Sequence, residues 1–234
     1  MKNKLYLIPS DIGSDPMKVI PAATLEHIAR IGVFVVENVR SARRFLSAAG
    51  LKGRIDGLEF HELSEHTSDS EVEALLPLFD KGDVGLITEA GLPAVADPGA
   101  PLVALCHAHG IQVVPLTGPS SLMLALMASG LNGQEFAFVG YLPAKTAERR
   151  DAVKKIEKDS SARRQTQIFI ETPYRNDALL EDLVNCLSPG TMLCIAADIT
   201  LESETIITLP VSAWRRKAGF KIGKRPCVFL ILAR

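Results

Sequence analysis

The chain has 234 residues, with 26 Lys and Arg against 27 Asp and Glu, a formal net charge of −1 and 47% hydrophobic residues, which is length enough for one large or two small domains. No apolar run approaches the roughly 20 residues of a membrane helix, and MKNKLYLIPS enters a strand-like pattern without the apolar region of a signal peptide, so a cytoplasmic protein with no membrane partner is expected. The near-neutral total conceals opposite halves: residues 1–139 hold 10 Lys and Arg against 16 Asp and Glu, a balance of −6, while residues 140–234 hold 16 against 11, a balance of +5.

In chain order the first half offers the strand-like runs LYLI, VFVV, VGLI and QVVPL, separated by segments of helical spacing at 22–31, 42–49, 72–79 and 102–109. Strand alternating with helix predicts a mostly parallel sheet covered on both faces. The second half offers FAFVGY, QIFIE, MLCIAA, ETIITL and CVFLILA. MLCIAA and ETIITL stand too close for a crossover helix, so an antiparallel pair, and hence a mixed sheet, is expected there. The charge reversal and the punctuation Thr117-Gly118-Pro119 place a boundary at that point, giving α/β domains over 1–117 and 118–234. Cys106, Cys186, Cys194 and Cys227 lie in apolar contexts without a CxxC pair, as buried free thiols do, and no metal site is expected.

Ligands of open parallel sheets bind beyond the carboxyl ends of the strands. Three loops belong there: PSDIG at 9–13 after LYLI, TEAGLPAVADPG at 88–99 after VGLI, and TGPSS at 117–121 after QVVPL. Their Gly, Ala and Pro let a ligand approach the backbone and stiffen the loop before it binds. Neither GxGxxG nor GxxxxGK[ST] is present, which disfavours dinucleotide and phosphate-gripping loops, and Pro119-Ser120-Ser121 is not a nucleophile elbow. Ser120 or Ser121 reads as the first turn of a helix over SLMLALMASG, whose Met and Leu read as core. Basic clusters at Lys145/Arg149/Arg150/Lys154/Lys155, Arg163/Arg164 and Arg215/Arg216/Lys217/Lys221/Lys224/Arg225 are candidates for phosphate contacts or for solvated faces.

The order LYLIPSDIG, EAGLPAVADPG, VVPLTGPSS with ASGL, FVGYLPAK with ERR, and FIETPYR resembles the tetrapyrrole methylase superfamily of S-adenosylmethionine-dependent methyltransferases over nearly the whole chain. It is most similar to the branch that methylates a ribose 2′-hydroxyl of a cytidine in small-subunit ribosomal RNA. The resemblance implies two α/β domains, the first mostly parallel and the second mixed, with the cofactor S-adenosylmethionine in a cleft between them, and a homodimer. It implies cofactor contacts from Pro9, Ala90, Gly91, Leu92, Pro93, Gly118, Pro119 and Ser120, and from Thr172, Pro173, Ala196 and Thr200. Arg40, Arg43 and Arg175 match arginines of the ribosomal RNA branch, suited to phosphate, with ion pairs to Glu37 or Asp177 as the alternative.

Methyl transfer from a sulfonium needs in-line alignment and no covalent residue. A hydroxyl acceptor adds the need for a base, for which Glu89, Glu171 and His66 are candidates, each with a structural role such as capping loop amides as the alternative. Against the branch, Leu92 replaces Asp or Thr, Ala96 precedes Asp97-Pro98-Gly99, Ala197 and Leu201 stand where basic side chains are expected, Tyr174 replaces a His, and no further segment follows CVFLILAR. Methylation of a tetrapyrrole, or cofactor binding without turnover, are therefore the rival readings.

Overall fold

The computed structural model describes residues 3–217 and 219–233, which divide between Ser120 and Ser121 into two compact units. In the first unit β1 (Lys4–Leu7), β2 (Val33–Val36), β3 (Glu59–Glu62), β4 (Val84–Ile87) and β5 (Gln112–Pro115) form one sheet in the order β3-β2-β4-β1-β5. Every pair in it is parallel. Alternate residues face opposite layers. Tyr6, Ile8, Phe34, Val36 and Ile87 pack with α2 (Ala22–Ile28) and α3 (Val39–Leu46), following the short α1 (Pro16–Val19). Leu5, Val33, Val35, Val84 and Leu86 pack with α4 (Asp69–Glu73), α5 (Leu78–Lys81) and α6 (Ala100–Ala108). Burying both faces is why β2 and β4 read as continuous apolar runs.

Local chemistry starts and stops these helices. Asp15 Oδ1 accepts Met17 N–H with Pro16 in the first turn, Asn38 Oδ1 accepts Ser41 N–H, and Ser68 with Glu71 closes a capping box. The segment expected as one helix over 42–49 is α3 followed by a wider turn, Ser47–Leu51, which needs Gly50 at φ 101°. The segment expected over 72–79 is two helices, with Pro77 between them denying the second a continuing N–H. The strand β3 was not among the expected runs, because Glu59, His61 and Glu62 leave Phe60 as its one apolar residue.

The second unit carries the order β6-β7-β10-β8-β9. The strand β6 (Phe136–Tyr141) runs parallel to β7 (Thr166–Ile170), while β7, β10 (Cys227–Leu232), β8 (Met192–Ala197) and β9 (Thr205–Pro210) pair antiparallel, so the sheet is mixed as expected. On one face α8 (Thr146–Arg163), α9 (Asn176–Cys186) and α10 (Val211–Trp214) cover Phe169, Leu193, Ile195, Phe229 and Ile231. The helix α7 (Ser121–Ser129) packs on β8, β9 and β10 through Leu122, Ala125 and Leu126. Its methionines depart from the core reading: Met123 and Met127 lie four residues apart and are exposed, because a helix applied to a sheet buries one stripe only.

Arg149 also departs from expectation. Read as part of a phosphate-facing cluster, it is buried on α8, where Nε donates to Asp182 Oδ2 at 2.7 Å and Nη1 to the Ala144 carbonyl at 2.9 Å. Burial pushes the Asp182 carboxyl up, but hydrogen bonds from Arg150 and Arg149 outweigh it and leave the group below the usual carboxylate range. Cys106, Cys194 and Cys227 are buried free thiols, and burial raises Cys106 to about 11 and Cys227 to about 12; Cys186 is half-buried.

Candidate functional site

Strand order fixes where the first unit can hold a ligand. The connections leaving the neighbours β1 and β4 run to opposite faces, toward α1 and toward α6, so a crevice opens at the carboxyl ends of these two strands. The three Gly- and Pro-rich loops converge there. Ser10 N–H donates to the Gly91 carbonyl at 2.9 Å and Ser10 Oγ to the Thr88 carbonyl at 3.2 Å, joining the first loop to the second. Gly118 packs so closely on Pro9 that a Cβ at position 118 would lie 2.3 Å from Pro9 Cγ, while Thr24 Oγ1 donates to the Thr117 carbonyl at 2.8 Å.

The second loop is held in an unusual backbone. Gly91 has φ 76°, and Ala94 and Ala96 have φ 64° and 62° without being glycine, a conformation that costs an L-residue roughly 1–2 kcal/mol. Such strain persists where the surroundings over-determine it, as at ligand clamps. Of the expected cofactor residues, Pro9, Gly91 and Pro93 are buried, Leu92, Gly118, Pro119 and Ser120 are half-buried, and Ala90 is exposed. The Leu92 side chain is apolar, so any polar contact from it must come through its backbone, whose carbonyl already accepts Val95 N–H at 3.3 Å.

Acidic side chains gather beside this loop. Glu89 N–H donates to Glu37 Oε2 at 3.1 Å, and Ser41 Oγ donates to Glu89 Oε1 at 2.8 Å. Burial raises the Glu37 carboxyl above its ordinary range, partly offset by the Glu89 N–H and reinforced by Asp97, Glu89 and Glu65. Burial likewise raises Asp97, with Thr88 pulling it back and Glu89 adding to the rise. Sequence reading missed Glu37 and Asp97. Neither carried a local signal, since Glu37 follows β2 as many polar residues follow strands and Asp97 stands well beyond the end of β4.

A raised carboxyl binds its proton more tightly in the folded chain than in the unfolded one. Its contribution to stability is therefore complete at low pH and lost as pH rises through the raised value. Asp97→Asn is expected to lift the melting temperature by about 1–3 °C at pH 8, with the gain shrinking toward zero as pH falls through the carboxylate range. Scanning calorimetry across that range checks this; a gain independent of pH contradicts it.

In the second unit the candidates sit in two loops. Glu171, at the end of β7, is buried; its Oε1 accepts Thr172 N–H at 2.6 Å and Arg175 Nε and Nη2 at 2.9 and 2.5 Å. Its Oε2 is enclosed without a hydrogen-bond partner. Thr172 and Pro173 begin the 3-10 turn Pro173–Arg175. Ala196 is fully buried within β8, between β9 and β10, with no accessible surface of its own. Thr200 lies in the turn joining β8 to β9, at φ 74°, with its N–H on Glu204 Oε2 at 2.9 Å.

The arginine pairings are not those weighed from the sequence. Arg175 pairs with Glu171, while Asp177 instead accepts Ile222 N–H at 2.7 Å; Arg43 pairs with Asp56 and lies over the Phe60 ring. Arg40 is exposed, and His66 is exposed beside Glu65 at 3.6 Å. Among the described residues no group of three or more His, Cys, Asp or Glu side chains is placed to hold a metal ion, and no helix is long and apolar enough to cross a membrane.

The crevice suits one kind of ligand by its chemistry. Its walls are backbone and small apolar groups, its neighbours are carboxylates, and none of the residues of the three loops is basic. A ligand with polar edges and positive charge fits; a dinucleotide phosphate does not. S-adenosylmethionine, with its sulfonium and ammonium groups, meets those terms.

A doubly wound parallel unit with backbone-lined loops at its carboxyl edge, joined in sequence to a mixed-sheet unit, is the architecture of a known class of methyltransferases. The solved methyltransferase CobJ matches 99% of this chain and 94% of its own at a TM-score of 0.66 and 16% identity, and a diphthine synthase matches 98% and 89% at 0.67 and 14%. The sequence profile described as Tetrapyrrole (Corrin/Porphyrin) Methylases matches residues 12–213. Proteins named Ribosomal RNA small subunit methyltransferase I are 35% identical in Escherichia coli O157:H7, over 91% of this chain and 72% of theirs, and 32% identical in Vibrio cholerae serotype O1, over 89% and 69%. The chain belongs to the tetrapyrrole methylase family and is an S-adenosylmethionine-dependent methyltransferase.

Proposed function

We propose that the chain transfers a methyl group from S-adenosylmethionine to a ribose 2′-hydroxyl of small-subunit ribosomal RNA. The observation that carries this reading is the similarity over about nine-tenths of the chain to proteins named for that RNA, at 35% and 32% identity. The positive balance of residues 140–234 agrees with an RNA acceptor. We place the protein in the cytoplasm as a homodimer; exposed Met127 on α7 and exposed Phe136 on the edge strand β6 are apolar surface of the kind a second copy could cover.

When bound, the cofactor supplies an electrophilic methyl on a positively charged sulfur. The chain's own part is positioning. Pro9, Ala90, Gly91, Leu92, Pro93, Gly118, Pro119 and Ser120 form the wall in the first unit, and Thr172, Pro173 and Thr200 are the proposed cofactor residues of the second; Ala196, fully buried in β8, has no accessible surface to offer. Glu89 is exposed, with its carboxylate held by Ser41 Oγ, so it is better placed than enclosed Glu171 to act as the base. Glu171, enclosed and tied to Arg175, orients its loop. Arg40 and Arg43 remain proposed RNA contacts, and His66, exposed beside Glu65, is proposed as a third substrate contact.

The test is transfer of labelled methyl from S-adenosylmethionine to small ribosomal subunits from a strain lacking the gene. Label on small-subunit RNA at a ribose, lost at least tenfold in Glu89→Gln, is the expected result. Cofactor binding with label appearing only on an added porphyrinogen or corrin overturns the RNA assignment.

A further inference from the structure

The second unit holds out one aromatic ring. Tyr174 is 81% exposed in a turn that cannot readily fold it back, since Pro173 fixes a backbone angle, Arg175 N–H donates to the Thr172 carbonyl at 2.9 Å, and the Arg175 guanidinium is tied to buried Glu171. Lys224 Nζ stands 4.9 Å from the ring centroid and covers one of its faces. The other face is open.

Lys224 belongs to residues 215–225, where six of eleven positions are Lys or Arg and none is Asp or Glu. The start of α9, two residues beyond Tyr174, pins this segment: Ile222 and Gly223 N–H donate to Asp177 Oδ1 at 2.7 and 3.2 Å, and Asn176 Nδ2 donates to the carbonyls of Gly223 and Arg225 at 3.1 and 2.7 Å. Arg215 is spent on the last carbonyls around α9, and Arg225 on Ile222 and Thr205. Arg216, Lys217, Lys221 and Lys224 are exposed, and among the described residues none forms an ion pair with a carboxylate. A fixed, exposed ring beside exposed cations that no carboxylate pairs, with Lys217 over the Phe220 ring at 5.7 Å, matches the way single-stranded nucleic acid is held, with bases stacked on aromatics and phosphates on basic groups. A bilayer would want more exposed apolar surface than this segment has, because Phe220 packs against Trp214 with ring centroids 5.2 Å apart.

We propose that Tyr174 and Lys224, with Lys221, Lys217 and Arg216, form a subsite for one unpaired nucleotide of the RNA acceptor, its base on the open face of Tyr174 and its flanking phosphates along the lysines. The subsite rests on the RNA reading above and gives it a specific contact.

Kinetics of methyl transfer to small subunits from the deletion strain test it, with Tyr174→Ala, Tyr174→Phe and Lys224→Gln in the full chain. Tyr174→Ala is expected to raise KM for the subunit about tenfold with calorimetric affinity for S-adenosylmethionine unchanged, while Tyr174→Phe, which keeps the ring, stays within about twofold. Lys224→Gln should lower the slope of log affinity against log salt by about one. An unchanged KM in Tyr174→Ala, or equal damage from Tyr174→Phe, overturns the subsite while leaving the methylation reading intact. Should wild type fail to label the subunits, that reading falls, and anisotropy of an end-labelled oligouridine decides the subsite by itself: tighter binding to wild type than to Tyr174→Ala sustains it, and equal binding removes it.

Discussion

Gly118→Ala is expected to weaken S-adenosylmethionine binding at least tenfold, a loss of about 1.4 kcal/mol, in calorimetric titration. The methyl group would meet Pro9 at 2.3 Å from Cγ and 2.4 Å from Cβ, far inside any observed carbon contact. Pro9 cannot turn aside, because its ring is rigid and buried and the next residue is bonded to Gly91 and Thr88. The loops at 9–13 and 117–120 must part instead, and the crevice loses its shape. Forcing a methyl into close packing also costs roughly 1–3 kcal/mol of stability, so the melting temperature should fall by several degrees. Gly133→Ala is the control, since a Cβ there meets nothing within 4 Å; equal cofactor affinity in the two variants would contradict this account of the loops.

Asp182→Ala is expected to be among the most destabilising single changes in the chain, costing about 3–5 kcal/mol. It strands Arg149, which is 4% exposed, as a buried cation with only the Ala144 carbonyl for company. Arg150→Ala removes the partner whose side chain is about half exposed and should cost under about 1 kcal/mol. Thermal unfolding of the two variants measures the contrast. Similar losses from both would mean that the buried Arg149–Asp182 pair is not what holds α8 to α9.

The parts of the fold that were legible were those where burial dictates composition. Val33–Val36 and Val84–Ile87 lie in the middle of a sheet covered on both faces, so only apolar residues serve there, and the run announces the strand. The strand Glu59–Glu62 lies at the edge, where that pressure is absent and EFHE looks like any polar stretch. The Met and Leu of SLMLALMASG read together as core, but only Leu122, Ala125 and Leu126 are buried; the opposite stripe of the same helix is also apolar, and Met123 and Met127 could not be told from buried residues until their neighbours were known. Arg149 and Arg150 are adjacent and chemically alike in sequence. Both bond Asp182 from 33 and 32 residues away, and only the side of α8 each occupies, invisible in a pair of adjacent arginines, separates the buried one from its exposed neighbour.

The candidate site divides in the same way. Gly91, Pro93, Gly118 and Pro119 carried a local signal, since backbone-lined loops require residues without bulk. Glu37 and Asp97 carried none, because what distinguishes them is burial beside Glu89, a property of three segments brought together by the order β2-β4-β1. Conversely Ala196, carried over by resemblance, lies fully enclosed in its strand.

The most direct test of the central claim, that the carboxyl-edge loops of the first unit hold the cofactor, is amide hydrogen exchange with and without S-adenosylhomocysteine. Slowed exchange concentrated at residues 10–13, 88–99 and 118–121 is the expected result. Saturating binding that leaves these three loops exchanging as fast as in the free protein would contradict it.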